Sequence, residues 1–251
     1  MFIRGSQSGN LASIGEHIEN GTVTELLSQG LGKDTNAMST ATPTTWHQRL
    51  SDLGDIPASR ILSTPAPGTA TWQDVVQIRD TQHRLCELID GTLVEKAMGW
   101  RESLLAGVLV QWLRNFLDKN PLGVATGPDG MTRLFDDTVR SPDVAFFAWD
   151  RLPNRRIPAE PVPEIVPNFV IEVLSPGNTY SEMSRKRREY FHAGVQLLWM
   201  VDPRDRTVTV YRSSSNVEVV REGGRLSGEG VLPEWLVETS ELFAKLDEEG
   251  S

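Results

Sequence analysis

Two acidic residues fall where buried strands would call for apolar side chains, and they constrain the chain more than any other feature. In Phe169-Val170-Ile171-Glu172-Val173-Leu174 the carboxylate of Glu172 interrupts a hydrophobic run. In Ser141-Pro142-Asp143-Val144-Ala145-Phe146-Phe147, Asp143 opens one. An uncompensated carboxylate inside a sheet costs several kcal/mol, so each needs a cation, a strong set of hydrogen bonds or a shifted pKa. If the two strands are neighbours, both groups can face one hard cation. Carboxylate oxygens suit Mg²⁺ or Mn²⁺, which take few protein ligands and keep waters for chemistry. Such an ion activates a water and neutralises charge building up on a phosphate. A structural salt bridge to Arg133, Arg140 or Arg185 is the competing reading, and either acid taken alone is more often structural.

The surrounding pattern predicts an α/β fold. Residues 1–70 are rich in Gly, Ser, Thr, Asn and Pro, with little periodicity from Asp34 to Ala70, and are expected to be a flexible extension without assigned function. A short amphipathic helix fits Thr22 to Leu27, and Met38-Ser-Thr-Ala-Thr-Pro reads as a natural start. From residue 71 to the end a folded domain is expected. Thr69-Ala-Thr-Trp-Gln-Asp opens a short helix. Residues 85–89 and 92–96 flank Asp90-Gly91, the dipeptide suited to a tight hairpin turn. A long helix over Arg101 to Lys119 carries Leu105, Val108, Leu109, Trp112, Leu113 and Phe116 on one stripe.

Strands are expected at 123–126, 131–135, 143–149 and 168–174, with a Pro-rich loop from Arg151 to Pro167. Thr179-Tyr-Ser-Glu182 is a capping box opening a helix that Gly194 closes. Val195–Val201 reads as a strand buried on both faces, 207–212 with 217–221 as a terminal hairpin, and 239–246 as a last helix. This order gives a central mixed sheet flanked by helices, with N-terminal and C-terminal β-hairpins.

Three further positions bear on chemistry. Glu102 lies in the first turn of the long helix, in line with Leu105, Leu109 and Phe116. It is either a third metal ligand or an acid that complements the helix dipole. Alternation along a strand places Leu174 beside Glu172. A lysine at that place would orient the attacking water, which leucine cannot do. Lys186, on the stripe with Glu182 and Tyr190, is the expected substitute. Arg185, Arg187 and Arg188 around it are either a solvated face or a docking surface for phosphate.

The order of motifs resembles the Uma-type restriction endonuclease family of the PD-(D/E)XK nuclease superfamily. The resemblance rests on Arg140-Ser-Pro-Asp-Val144, Phe169-Val-Ile-Glu-Val-Leu-Ser-Pro176, Lys186, Tyr190, Ala193-Gly-Val195 and Leu198-Trp-Met-Val-Asp-Pro203, from about Trp72 to Leu246. Glu87-Leu-Ile-Asp-Gly-Thr-Leu-Val-Glu95 is similar to the family's opening hairpin. It implies a restriction-endonuclease-like core and a divalent cation. The implied active site holds Asp143, Glu172 and Lys186; the Val173 carbonyl is a further candidate metal ligand. The chain departs from many relatives at Arg101-Glu102, where they carry a histidine, and at Gln196, where they carry an acid.

The expected function is Mg²⁺- or Mn²⁺-dependent cleavage of phosphodiester bonds in DNA. The alternatives are a catalytically silent nuclease-fold module that binds nucleic acid or a protein partner, and a hydrolase of another phosphate ester. The net charge of −9 excludes a protein that holds nucleic acid mainly by bulk charge. A single cysteine, Cys86, excludes an internal disulfide, and no run is long and apolar enough for a membrane span. The cytoplasm is the expected compartment and DNA the expected partner, with no membrane association; a homodimer stays open.

Overall fold

The computed structural model describes residues 45–249. The proposed start at Met38 and the helix over Thr22 to Leu27 lie outside those residues. The boundary expected at residue 70 is corrected: the folded unit already includes residues 45–70. Thr45 caps α1 (Trp46–Asp52) by accepting from the Gln48 N–H. Leu53 and Ile56, just beyond α1, pack with Ile89 and Val94. Composition misleads here because a few well-placed apolar side chains and one arginine anchor an otherwise polar segment. The arginine is Arg60, whose guanidinium donates to both carboxylate oxygens of Glu182, at 2.9 and 2.8 Å.

Next comes α2 (Trp72–Gln82), opened by the Thr71–Asp74 capping box. The expected hairpin follows as β1 (Cys86–Ile89) and β2 (Thr92–Glu95). Asp90 and Gly91 both take positive φ, as the tight turn requires. The long helix α3 (Trp100–Leu117) leads to β3 (Gly123–Thr126), β4 (Thr132–Phe135), β5 (Thr138–Arg140) and β6 (Val144–Ala148). The three-residue β5 escapes sequence reading because it is too short to show a period. β7 (Phe169–Val173), α4 (Tyr180–Ala193) and β8 (Leu197–Asp202) form a strand–helix–strand unit whose two strands are parallel. Thr179 and Glu182 close the predicted capping box, and Gly194 takes the left-handed C-cap. The chain ends with β9 (Thr207–Tyr211), β10 (Val217–Arg221), the short pair β11 (Arg225–Ser227) and β12 (Leu236–Glu238), and α5 (Thr239–Ala244).

The strands form a four-stranded sheet, β2-β1-β5-β4, a central six-stranded mixed sheet, β10-β9-β8-β7-β6-β3, and the β11-β12 pair. Alternation along β7 divides the central core. Phe169, Ile171 and Val173 join the cluster that contains Leu105, Leu109 and Leu113 of α3. Val170 points the other way, into a cluster with Met183 and Tyr190 of α4. By the same parity Glu172 faces α4. Asp143 lies in the short link between β5 of the smaller sheet and β6 of the central one. The link between the two sheets therefore carries this acid to the start of β6, beside β7.

Candidate active site

Asp143, in the link just before β6, and Glu172 of the neighbouring β7 are both buried, and the register of the two strands pairs Val144 with Ile171. They are close enough for the charge of Asp143 to oppose ionisation of Glu172. Asp143 Oδ2 accepts from the Val173 N–H at 2.6 Å, and Oδ1 meets the Lys96 ammonium at 2.7 Å. Lys96 also donates to the Ser141 carbonyl at 2.5 Å. Glu172 Oε1 accepts from the Tyr190 hydroxyl at 2.5 Å, and Lys186 Nζ lies 3.3 Å from each Glu172 oxygen. Burial pushes the Glu172 carboxyl up, against the pull of Lys186.

Two residues of this network carried no role in the sequence reading. Glu87 of β1 is 3.0 Å from Lys186 Nζ and 2.8 Å from Arg140 Nη1, and accepts from the Ser141 N–H at 3.2 Å. Burial opposes its charge, but Lys186, Arg140 and Lys96 together outweigh that and bring its carboxyl down to about 2. Arg140 continues to Glu189 through Nε, at 2.8 Å. The signal for Glu87 was the same as for Glu172, an acid in an otherwise apolar strand. Lys96 had no such signal, because it follows the strand and only the fold carries it to Asp143.

The structure thus brings together Asp143, Glu172 and Lys186, and no arginine does the pairing: the partners are Lys96 and Lys186. Val173 reaches Asp143 through its N–H. Glu102 is buried, but no hydrogen bond or ion pair ties it to the other acids; its carboxylate folds back over Gly99 at the start of α3. Arg185, expected with Arg187 and Arg188 as a phosphate contact, is engaged within the fold. Its guanidinium is taken by Glu189 at 2.6 Å, Asp90 at 2.8 Å and the Asp52 carbonyl. Arg187 and Arg188 have no carboxylate partner among the described residues and make long contacts to Ser184 Oγ, at 3.4 and 3.3 Å.

Among the described residues no cluster of three His, Cys, Asp or Glu side chains could hold a metal. The donor set still fits a hard cation. Asp143 Oδ1 and the Ser141 carbonyl already hold one, the Lys96 ammonium, in an oxygen cradle. Mg²⁺ commonly needs only one or two carboxylates and completes its shell with water. Three buried acids (Glu87, Asp143, Glu172) face three buried bases (Lys96, Arg140, Lys186), so the site is balanced in charge as it stands. Among the described residues no helix is long and apolar enough to cross a membrane.

The fold is similar to a crystal structure described as a putative nuclease belonging to DUF820 from Anabaena variabilis. The TM-score is 0.61 at 24% identity, covering 70% of this chain and 98% of that one. A search of curated proteins finds no match. The family model described as "Uma2: Putative restriction endonuclease" matches residues 72–240, the span that carries the hairpin, both site carboxylates and α4. The chain belongs to that family.

Proposed function

We propose that the chain is a divalent-metal-dependent endonuclease that hydrolyses phosphodiester bonds in DNA. The observation that carries this reading is the pair Asp143 and Glu172, buried side by side with a cation already seated on Asp143. These two would hold Mg²⁺ or Mn²⁺, with the Val173 carbonyl as a further ligand. When bound, the ion supplies an activated water and stabilises charge on the phosphate. Tyr190 and Lys186 hold the Glu172 carboxylate in place. Burial opposes the charge on Lys186, yet Glu172 and Glu87 raise its pKa, so at neutral pH it is an ammonium that donates and not a base. Glu102 enters the proposal only as an acid at the start of α3.

A second reading is favoured by one specific observation: each oxygen of both site carboxylates already has a protein partner. On that reading the network is structural and the chain a silent nuclease-fold module. Incubation with plasmid and oligonucleotide DNA in Mg²⁺, Mn²⁺ or EDTA separates the two. Cleavage that depends on the ion and is lost in Asp143→Ala and Glu172→Ala is the expected result. No cleavage, together with a melting temperature that neither ion shifts, would overturn the nuclease reading.

A further inference from the structure

Beside the carboxylate site lies a cleft of about 300 Å³. That is the lower end of the size range for small-molecule clefts. Its position follows from strand register. Glu172 pairs with Met200 of β8, and Met200 with Thr209 of β9, so the three form a row across the sheet on the face under α4. Met200 and Thr209 line the cleft, and so does Leu174, two residues beyond Glu172 and about 7 Å further along the extended chain.

The lining is of two kinds. Leu174, Met183 and Met200 make an apolar floor. The polar side is arginine-rich. Arg204 is held by Asp202, through bonds of 3.0 and 2.8 Å, which engages both oxygens of that acid. Arg187 has no carboxylate partner among the described residues, and it lies over the Tyr211 ring, 5.0 Å from the centroid. Its Nε is buried without a hydrogen-bond partner. Tyr180 at the rim is 86% exposed. Two arginines against one aspartate leave this cleft cationic on a chain of net charge −9.

We propose that this cleft binds one nucleotide of the DNA strand, the base lying on the Met floor between Tyr180 and Tyr211 and its phosphate meeting Arg187. An apolar floor with aromatic walls accepts the face of any base, and an arginine that lacks a carboxylate is available to phosphate. The inference rests on the nuclease reading for its choice of a DNA strand. It places an unpaired nucleotide next to Glu172, so the strand is held at the site by stacking more than by bulk charge.

The test is made in EDTA, where binding is independent of any metal step. Calorimetric titration with dAMP and with 2-deoxyribose 5-phosphate compares ligands with and without a base. The expected result is that dAMP binds about tenfold or more tighter, the order of one stacking contact. Tyr211→Leu and Arg187→Met should each weaken dAMP by about tenfold at an unchanged melting temperature. A single-stranded oligonucleotide should displace dAMP. Equal affinity for the two ligands would reduce the cleft to an anion patch and overturn the proposal, as would no binding of dAMP. Failure of the oligonucleotide to compete would also overturn it, by assigning the cleft to free nucleotide. Ion-dependent cleavage of DNA in the face of any of these would leave the nuclease reading standing, whereas dAMP binding with neither cleavage nor an ion-shifted melting temperature would remove that reading alone.

Discussion

At Asp143 the structure reverses an argument that the sequence invites. Two acids facing an empty metal site repel, so removing one should stabilise the protein without metal. Here Asp143 is matched by Lys96, so its removal strands a buried ammonium, whereas Lys186 is shared by Glu172 and Glu87 and keeps Glu87 if Glu172 is removed. Asp143→Ala is therefore expected to lower stability by about 3–5 kcal/mol, read by urea denaturation, and Glu172→Ala by less, because Glu87 still pairs Lys186. Lys96→Met has the opposite value as a probe. It frees the Asp143 oxygen that an ion would need, so Mn²⁺ affinity by calorimetry should rise, and no change would mean that Lys96 does not compete. Glu87 sets the acid limit. Its folded pKa is depressed from 4.5 to about 2, so its stabilising contribution is complete above 4.5 and disappears as pH falls toward 2. Glu87→Gln should be less stable than wild type at pH 7, and the gap should close by pH 2. A gap that stays constant with pH would show that Glu87 is not charged in the fold.

Among the elements, those with a strong local code are legible in the sequence alone. The Asp90-Gly91 turn, the Thr179–Glu182 capping box, the Gly194 cap and the α3 stripe all lie where the sequence puts them. So do Glu172 and Lys186, because the alternation along β7 and the helical spacing of α4 each place a side chain on a defined face. What was not legible depends on contacts across long separations: Lys96 on Asp143, Glu87 on Arg140, and Arg60 on Glu182, 122 residues apart. The last defines a further prediction. A chain beginning at Thr69 loses Leu53, Ile56 and Leu62 from the core and leaves Glu182 unpaired. It should be less stable than one beginning at Thr45 by at least about 4 kcal/mol. Equal melting temperatures would make residues 45–68 a passive appendage.

For the molecule as a whole, the net charge of −9 sets the terms of the proposed DNA binding. With a net charge of −9, long-range attraction cannot gather DNA, and affinity has to come from local contacts such as Arg187 and Arg188. Replacing either by Ala should weaken DNA binding and reduce the slope of log affinity against log salt by about one. Arg185→Ala should leave that slope unchanged and instead lower the melting temperature, since its guanidinium is already committed to Glu189, Asp90 and the Asp52 carbonyl.

The interlocked charges of the buried site also bear on how such a protein can change over generations. Glu87 touches Arg140 and Lys186, Lys186 touches Glu172, and Arg140 touches Glu189, so one substitution leaves several partners exposed to loss. Drift at these positions then has to proceed by paired replacement, with a fitness valley between. Glu87→Gln with Arg140→Met should cost clearly less than the sum of the two single changes, a coupling of about 1–3 kcal/mol in a double-mutant cycle. A site wired in this way resists gradual revision even if its catalysis is lost. Its charged residues could then outlast its activity in a lineage, held in place by one another.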